Sequence, residues 1–193
     1  MSAPGTSTHP GHHAATPEQV ASLVFAEHVG KLIYGAGDAA ASLSTTQLVA
    51  LTYIHENPRT TIKALAAGTR VNHSAASQAA HRLAREGLVG IEPGTDRRQA
   101  TLKVLEAGER LLAHARDRRL RELERIFRRM PAADRTALVD GLTAFLKVAL
   151  SSEKKVDDVC GRCWVEHFGE CIVNLMHRQM TGRDTKRIPA GAT

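Results

Sequence analysis

Residues 64–112 read ALAAGTRVNHSAASQAAHRLAREGLVGIEPGTDRRQATLKVLEAGERLL, and this stretch decides the fold. It holds a short apolar helix pattern, then a second helix pattern that begins after Asn72 and stops at Gly87, then a β-hairpin pattern. Asn is a favoured N-cap because its side chain accepts from an otherwise unbonded N–H, and Gly adopts the left-handed conformation that ends helices. This order predicts a winged helix-turn-helix.

Capping and turn residues give approximate bounds for these elements. The short helix is predicted over Ile62–Ala67, with Thr60 or Thr61 as its N-cap and Gly68 as its terminator. The second helix runs from its cap at Asn72 to about Glu86. The hairpin comprises Leu88–Ile91, a turn at Pro93–Asp96 and Ala100–Val104.

The helix that follows Asn72 has two contrasting faces. At about 100° per residue, Ala76, Ala80 and Leu83 fall on one narrow stripe, whose small residues allow close packing on a scaffold. The opposite face carries Ser74, Ser77, Gln78, His81 and Arg85. Serine and glutamine can reach base edges in the major groove, and glutamine suits adenine. An exposed Ser/Gln-rich helix also occurs in proteins that do not bind DNA, so this face alone leaves both interpretations open.

The tip of the hairpin carries a second basic feature. Asp96, Arg97 and Arg98 follow one another in a tight loop, where the carboxylate can orient one of the two guanidinium groups. Arginine side chains on such a loop suit a narrow minor groove. A solvated turn is the alternative. Because the hairpin directly follows the polar helix, the pair of features favours DNA contact more than either feature alone.

The order of these features resembles the core of the MarR family of bacterial transcription factors. The resemblance lies in the "LA" of the short helix, "GLV" after the second helix, "DRR" at the wing and the "L…G" before a long helix, and it extends more loosely over residues 17–150. It implies a dimeric winged-helix fold whose first helix and last two helices build the dimer interface. It also implies DNA contacts by Asn72, Ser74, Ser77, Gln78, His81, Arg82, Asp96, Arg97 and Arg98. Leu105 stands where the family usually has threonine.

The remainder of the chain is predicted as helices and tails. The fold class is mainly α with a small β-hairpin wing: a winged helix-turn-helix core with N- and C-terminal dimerisation helices. Ser, Thr, Pro, Gly and His dominate residues 1–16, which are predicted to form a flexible tail. The domain prediction is a tail at 1–16, the winged-helix domain with its dimerisation helices at 17–150, a cysteine-containing helical extension at 151–181, and a second tail at 182–193.

Composition restricts the class of protein further. The chain has 193 residues and a formal charge of +6, with a pI near 9.6, so a polyanion is a plausible partner. No run reaches the ~18 apolar residues of a membrane helix, and no signal peptide pattern is present. These observations predict a cytoplasmic protein without a membrane partner.

Three cysteines lie in the last quarter of the chain and raise a separate question. Cys160, Cys163, His167 and Cys171 would lie within about 80° of one another on a single helix. Three interpretations stay open: packing of cysteine as a small apolar residue, a zinc or iron-sulfur site, and a redox switch through disulfides. A straight helix cannot place all four on one zinc ion, so a metal site needs a break at Gly161 or ligands from another segment.

The sequence therefore predicts a sequence-specific regulator rather than an enzyme. We expect a repressor that binds double-stranded DNA as a homodimer on a pseudo-palindromic operator, with binding modulated by a small ligand, a metal or iron-sulfur site, or cysteine oxidation. The alternative is a cysteine-based redox or metal-binding enzyme on a basic helical scaffold. No P-loop, dinucleotide fingerprint or nucleophile-base signature supports catalysis. The effector, the operator and the regulated genes are left open.

Overall fold

A computed structural model describes residues 15–34, 43–94, 100–160, 163 and 171–185. Within these ranges the chain forms eight helices and three strands. The elements are α1 (Pro17–Tyr34), α2 (Thr45–Glu56), β1 (Thr60–Thr61), α3 (Ile62–Thr69), α4 (His73–Arg85), β2 (Val89–Pro93), β3 (Ala100–Val104), α5 (Glu106–Arg129), α6 (Ala132–Ala149), α7 (Glu153–Cys160) and α8 (Ile172–Thr181). No described helix is both long and apolar enough to cross a membrane.

The chain divides into two compact units, residues 1–35 and 36–193. In the first unit, α1 begins with a reciprocal cap, since the Thr16 N–H donates to Gln19 Oε1 at 3.0 Å and the Gln19 N–H donates to Thr16 Oγ1 at 3.3 Å. A hydrogen bond with Thr16 also holds the pKa of Glu18 below its ordinary value. The apolar side chains of Leu23 and Val24 on α1 are exposed.

The second unit is built around a three-stranded antiparallel sheet in the order β1-β3-β2. Leu102 in the central strand pairs with Thr60 on one side and with Ile91 on the other. The hairpin of β2 and β3 confirms the predicted wing strands. The strand β1 was not predicted, because two residues carry no periodicity. Thr61 also caps α3, its hydroxyl accepting from the Ala64 N–H at 3.2 Å.

The core of this unit lies between α2, α3, α4 and the sheet. The fully buried side chains include Leu51 from α2, Leu65 from α3, Leu83 from α4 and Leu102 from β3. A first-turn glycine lets α5 approach this core closely: a Cβ on Gly108 would lie 2.7 Å from Val104 Cγ1 and would overlap the carbonyl oxygen of Leu88. The start of α5 is thus fixed against the ends of the wing strands.

The ends of α3 and α4 share one cap geometry but use different residues. After α4, Gly87 has φ 71°, and the N–H groups of Gly87 and Leu88 donate to Ala84 and Leu83. This confirms Gly87 as the terminator. After α3 the prediction is wrong, because the helix passes through Gly68 and Arg70 takes the left-handed conformation with φ 59°.

Gly68 serves packing instead of termination. A Cβ at this position would overlap the ring of Tyr53, so the missing side chain lets α3 lie directly against α2. Helix termination therefore falls two residues later than the sequence indicates, at a residue without glycine's conformational freedom.

The helices after the wing differ in how they are stabilised. The arginine-rich α5 carries ion pairs along its exposed surface, including Arg125 with Glu122 at 3.0 Å and Arg128 with Glu124 at 2.6 Å. Pairs of acidic and basic residues at this spacing are typical of a solvated helix. None of the described side chains of α6 is buried.

The extension forms a helical hairpin with a small core of its own. Helices α7 and α8 pack together through Leu150, Val156, Cys160, Val173 and Met176. At the open end of the hairpin, the buried ring of His177 places Nε2 3.5 Å from Glu153 Oε1. Its Nδ1 lies 2.8 Å from the carbonyl oxygen of Arg183, which holds the chain after α8 in place. The beginning of α7 therefore lies beside the end of α8.

Candidate nucleic-acid interface

Helix α4 is held on the scaffold through a narrow stripe of small residues. Ala76, Ala79, Ala80 and Leu83 are all buried, and Ala80 and Leu83 have no exposed surface. Three alanines in this stripe bring the helix axis close to the core, because no bulky side chain separates them. The buried side of α4 is therefore the side that the helical periodicity predicts.

The opposite side of α4 faces solvent. His73, Ser74, Gln78, His81, Arg82 and Arg85 are exposed, and Ser77 is half-buried. Gln78 Nε2 donates to Ser74 Oγ at 3.4 Å, so these two side chains lie together one turn apart. The face thus offers hydroxyl, amide and imidazole groups in its first half and guanidinium groups towards its end, as base readout followed by phosphate contact requires.

The first residue of this surface also begins the helix. Asn72 has extended backbone angles, and its Oδ1 accepts from the Ala75 N–H at 2.8 Å, which confirms the predicted cap. Asn72 is exposed, and the cap fixes the position of its side chain at the helix N-terminus. The unbonded N–H groups of that terminus favour anions such as phosphate.

At the other end of α4, one arginine is tied to a neighbouring helix. Arg82 Nε lies 3.3 Å from Glu86 Oε1, and the same oxygen accepts from Gln47 Nε2 at 3.5 Å. Gln47 also completes a capping box with Ser44 at the start of α2. The contact of Gln47 with Glu86 could not be predicted from the sequence, since no local pattern links residues 39 positions apart. This contact fixes the register of α4 against α2.

The wing strands lie beside α4 in the described part of the structure. Strands β2 and β3 pair from Val89 with Val104 to Pro93 with Ala100. The loop that joins them, with Asp96, Arg97 and Arg98, lies outside the described residues. The β-ribbon is therefore present, and the roles of the three loop residues stay predictions.

A residue in the turn before α4 forms an ion pair with the C-terminal extension. Arg70, at the left-handed position after α3, donates from Nη2 to Asp158 Oδ2 on α7 at 2.7 Å. Arg70 precedes the cap residue Asn72 by two positions. The extension therefore contacts the turn that leads into α4, through two residues 88 positions apart that no sequence pattern connects.

The cysteines are not arranged on one helix. α7 ends at buried Cys160, Cys163 is half-buried and non-helical, and Cys171 directly precedes α8. His167 lies outside the described residues. Within the described ranges, no three His, Cys, Asp or Glu side chains form a group that could hold a metal ion. The zinc and iron-sulfur interpretations stay predictions, which elemental analysis of anaerobically purified protein would test.

Comparison with known protein families gives a sequence match over the region that contains α2, α3, α4 and the first wing strand. The MarR family model matches residues 41–99, from just before α2 into the wing loop. No curated protein matches the chain by sequence.

Solved structures extend the comparison to most of the fold. Rv1404 from Mycobacterium tuberculosis has a TM-score of 0.63 at 22% identity, over 72% of this chain and 97% of that one. A MarR-like transcriptional regulator from Thermotoga maritima has 0.58 at 20% identity, over 73% and 100%. A single-residue mutant of Staphylococcus aureus MepR, bound to an oligodeoxyribonucleotide, has 0.51 at 16% identity, over 67% and 97%.

These similarities confirm the predicted winged-helix fold class. The Thermotoga protein and MepR are themselves transcription regulators.

Proposed function

We propose that this chain is a sequence-specific transcription regulator of the MarR family that represses as a homodimer, a proposal supported by the match of residues 41–99 to the family model and by the shared winged-helix fold. The observation that carries the proposal is the two-sided character of α4. Its alanine stripe is buried against the scaffold, while the opposite face carries exposed Ser74, Gln78 and His81 and half-buried Ser77. A surface helix without a ligand is more often covered with Glu and Lys, whereas this set can read base edges.

In this proposal α4 enters the major groove of double-stranded DNA. Ser77, Gln78 and His81 contact bases, and Arg82 contacts phosphate and sets the register. Arg97 and Arg98 of the wing reach the adjacent minor groove. The DNA-bound MepR mutant, whose fold this chain shares, supports a DNA partner for this architecture.

Exposed apolar surface supports the homodimer. On α6, Phe145 and Val148 are 64% and 79% exposed, and on α1 Leu23 is 68% exposed. Apolar patches of this kind mark interaction sites, because burying them removes apolar area from water. A two-fold pair would also supply two recognition helices, which a specific site in a genome requires.

Replacing Phe145 with glutamate is expected to shift the protein to the monomer and to abolish specific DNA binding. A charge in the centre of an apolar interface is buried without a partner, which association cannot offset. Lys147→Glu introduces the same residue on the opposite side of α6 and should stay dimeric. Sedimentation equilibrium measures the change, and a Phe145→Glu protein that remains dimeric would exclude α6 from the interface.

The central test is selection of a DNA site from a random duplex library. We expect the full chain to enrich an inverted repeat whose half-sites lie about one helical turn apart. Binding to that duplex should weaken steeply with salt and exceed binding to a scrambled duplex by about a thousandfold or more. Enrichment of no common sequence, with equal weak binding to both duplexes, would contradict the proposal.

We also propose that an effector lowers DNA affinity by changing the distance between the two recognition helices. A ligand can only shift this equilibrium by its difference in affinity between the two spacings. A small molecule or a metal or iron-sulfur site would supply that difference, and thiol oxidation at the cysteines would modulate DNA binding separately. A regulator of this kind acts where the DNA is, so we propose a cytoplasmic location.

A further inference from the structure

The extension holds two thiols close together at the end of α7. The Cys163 N–H donates to the carbonyl oxygen of Cys160 at 3.3 Å. A backbone hydrogen bond between residues three positions apart keeps their Cα atoms within about 7 Å, and a disulfide spans Cα distances of about 4.4 to 6.8 Å. All three cysteines are thiols in the structure. The backbone thus brings Cys160 and Cys163 within reach of a disulfide.

The thiols of Cys160 and Cys163 differ in their access to solvent. Cys160 is 4% exposed and packs with Val156, Val173 and Met176 in the core of the hairpin. Cys163 is half-buried beyond the end of the helix. Because the thiolate is the reactive form and needs both access and solvation, Cys163 is the residue that reacts first.

Half a turn before Cys160, the same helix contacts the DNA-reading unit. Asp158 accepts from Arg70 at 2.7 Å, and the two side chains are 40% and 65% exposed. An ion pair this exposed is weak, so a small displacement of α7 is enough to break it. Arg70 lies in the turn that leads into α4, where a guanidinium can reach the DNA backbone when α4 enters the groove.

We propose that Cys160 and Cys163 are a peroxide-sensitive thiol pair that decides whether Arg70 binds Asp158 or a DNA phosphate. The inference rests on the proposed function. The Cys163 thiolate attacks one oxygen of a hydroperoxide, forming a sulfenic acid and releasing water or an alcohol. The Cys160 sulfur then displaces hydroxide from that sulfenic acid, forming the disulfide and a second water. Two thiols lose two electrons and two protons, and the peroxide takes them up.

The disulfide changes α7 because it moves a buried side chain. To bond Cys163, the Cys160 sulfur must turn away from the hairpin core, where it contacts the apolar cluster. α7 has only eight residues, so its last turn depends on this packing. Loosening that turn releases Arg70 from Asp158. In the reduced state the Arg70 guanidinium pairs with the Asp158 carboxylate, and in the oxidised state it contacts a DNA phosphate.

The inference predicts that peroxide steepens the salt dependence of DNA binding. The full chain is compared after treatment with a thiol reductant and after treatment with hydrogen peroxide, on the selected duplex, over a range of about 50 to 200 mM salt. Each added phosphate contact steepens the slope of log affinity against log salt by about 0.9, so the two Arg70 side chains of a homodimer steepen it by about 1.8. Across this range the affinity of the oxidised protein should then fall about 12-fold further than that of the reduced protein. Differential alkylation and peptide mass spectrometry should locate the disulfide between Cys160 and Cys163, and Cys163→Ser should show neither change.

Variants of the ion pair distinguish the loss of the Arg70–Asp158 contact from the mere loss of one negative charge on α7. Asp158→Asn should give the steeper slope in the reduced protein, whereas Asp157→Asn removes the same charge from the adjacent exposed residue and should not. Arg70→Gln should keep the shallow slope in both redox states. Circular dichroism confirms that each variant is folded.

The outcomes distinguish this inference from the proposed function. Specific binding with one slope in both redox states, or a peroxide-induced bond that omits Cys160, would overturn the thiol control and leave the regulator intact. A lack of sequence preference in either state would overturn both.

Discussion

Gln78→Ala is expected to weaken binding to the selected operator at least about thirtyfold while leaving binding to scrambled DNA almost unchanged. A bidentate contact between a glutamine and adenine contributes about 1–3 kcal/mol of discrimination, and a homodimer makes the contact twice. The total loss is about 2–6 kcal/mol. Fluorescence anisotropy on both duplexes at one salt concentration measures it. The salt slope should not change, since no phosphate contact is lost.

A matched control exists elsewhere on the surface. Gln179 is exposed on α8, and Gln179→Ala removes the same side chain without touching α4. It should bind the operator like the unmodified protein. If Gln78→Ala also bound normally, α4 would not read bases through the centre of its exposed face, and the proposed mode of recognition would be wrong.

Gly108→Ala is expected to destabilise the protein by about 1–3 kcal/mol, although alanine favours helices by about 1 kcal/mol over glycine. The added methyl would lie 2.7 Å from Val104 Cγ1 and 3.3 Å from the Leu88 carbonyl carbon. The Leu88 carbonyl cannot move away, because its oxygen accepts from the Leu105 N–H at 2.9 Å. Urea unfolding at fixed protein concentration measures the free energy of unfolding.

Gly141 provides the opposite case within α6. A Cβ there meets no described atom of the same chain within 4 Å. Because Gly141 shares the face of α6 that carries Phe145, the substitution is made in the monomeric Phe145→Glu protein, where Gly141→Ala should raise the free energy of unfolding by about 0.5–1 kcal/mol. The same chemical change thus has opposite signs at two helical positions. Equal effects would mean that the close approach of α5 to the wing strands is not maintained in solution.

Local sequence signals predicted the elements that local chemistry controls. Asn72 and Gly87 correctly marked the start and the end of α4, because capping depends on a few adjacent residues. The periodicity around Ala80 correctly indicated the buried side of the helix. The wing strands follow from β-branched residues and turn residues between Val89 and Val104.

Contacts that depend on tertiary structure could not be predicted from the sequence. Glycine is the usual residue at a helix end, so Gly68 was predicted to end α3. The structure shows that the position instead needs glycine because the ring of Tyr53, on α2, leaves no room for a Cβ. The pair of Arg70 and Asp158 joins residues with no shared local pattern. The cysteine spacing fitted one helix, yet the chain leaves the helix at Cys160, where the side chain enters the hairpin core.

The two-residue strand β1 has a mechanical consequence for how target sites diverge. It hydrogen-bonds to β3 and runs directly into α3, so the backbone joins the wing strands to the helix pair α3 and α4 without an intervening loop. In the proposed complex, the distance between the bases under α4 and those under the wing would therefore be constant for each half of a target. Adaptation to targets of different length would then occur between the two halves of the proposed homodimer, where packed helices and not backbone ladders set the separation.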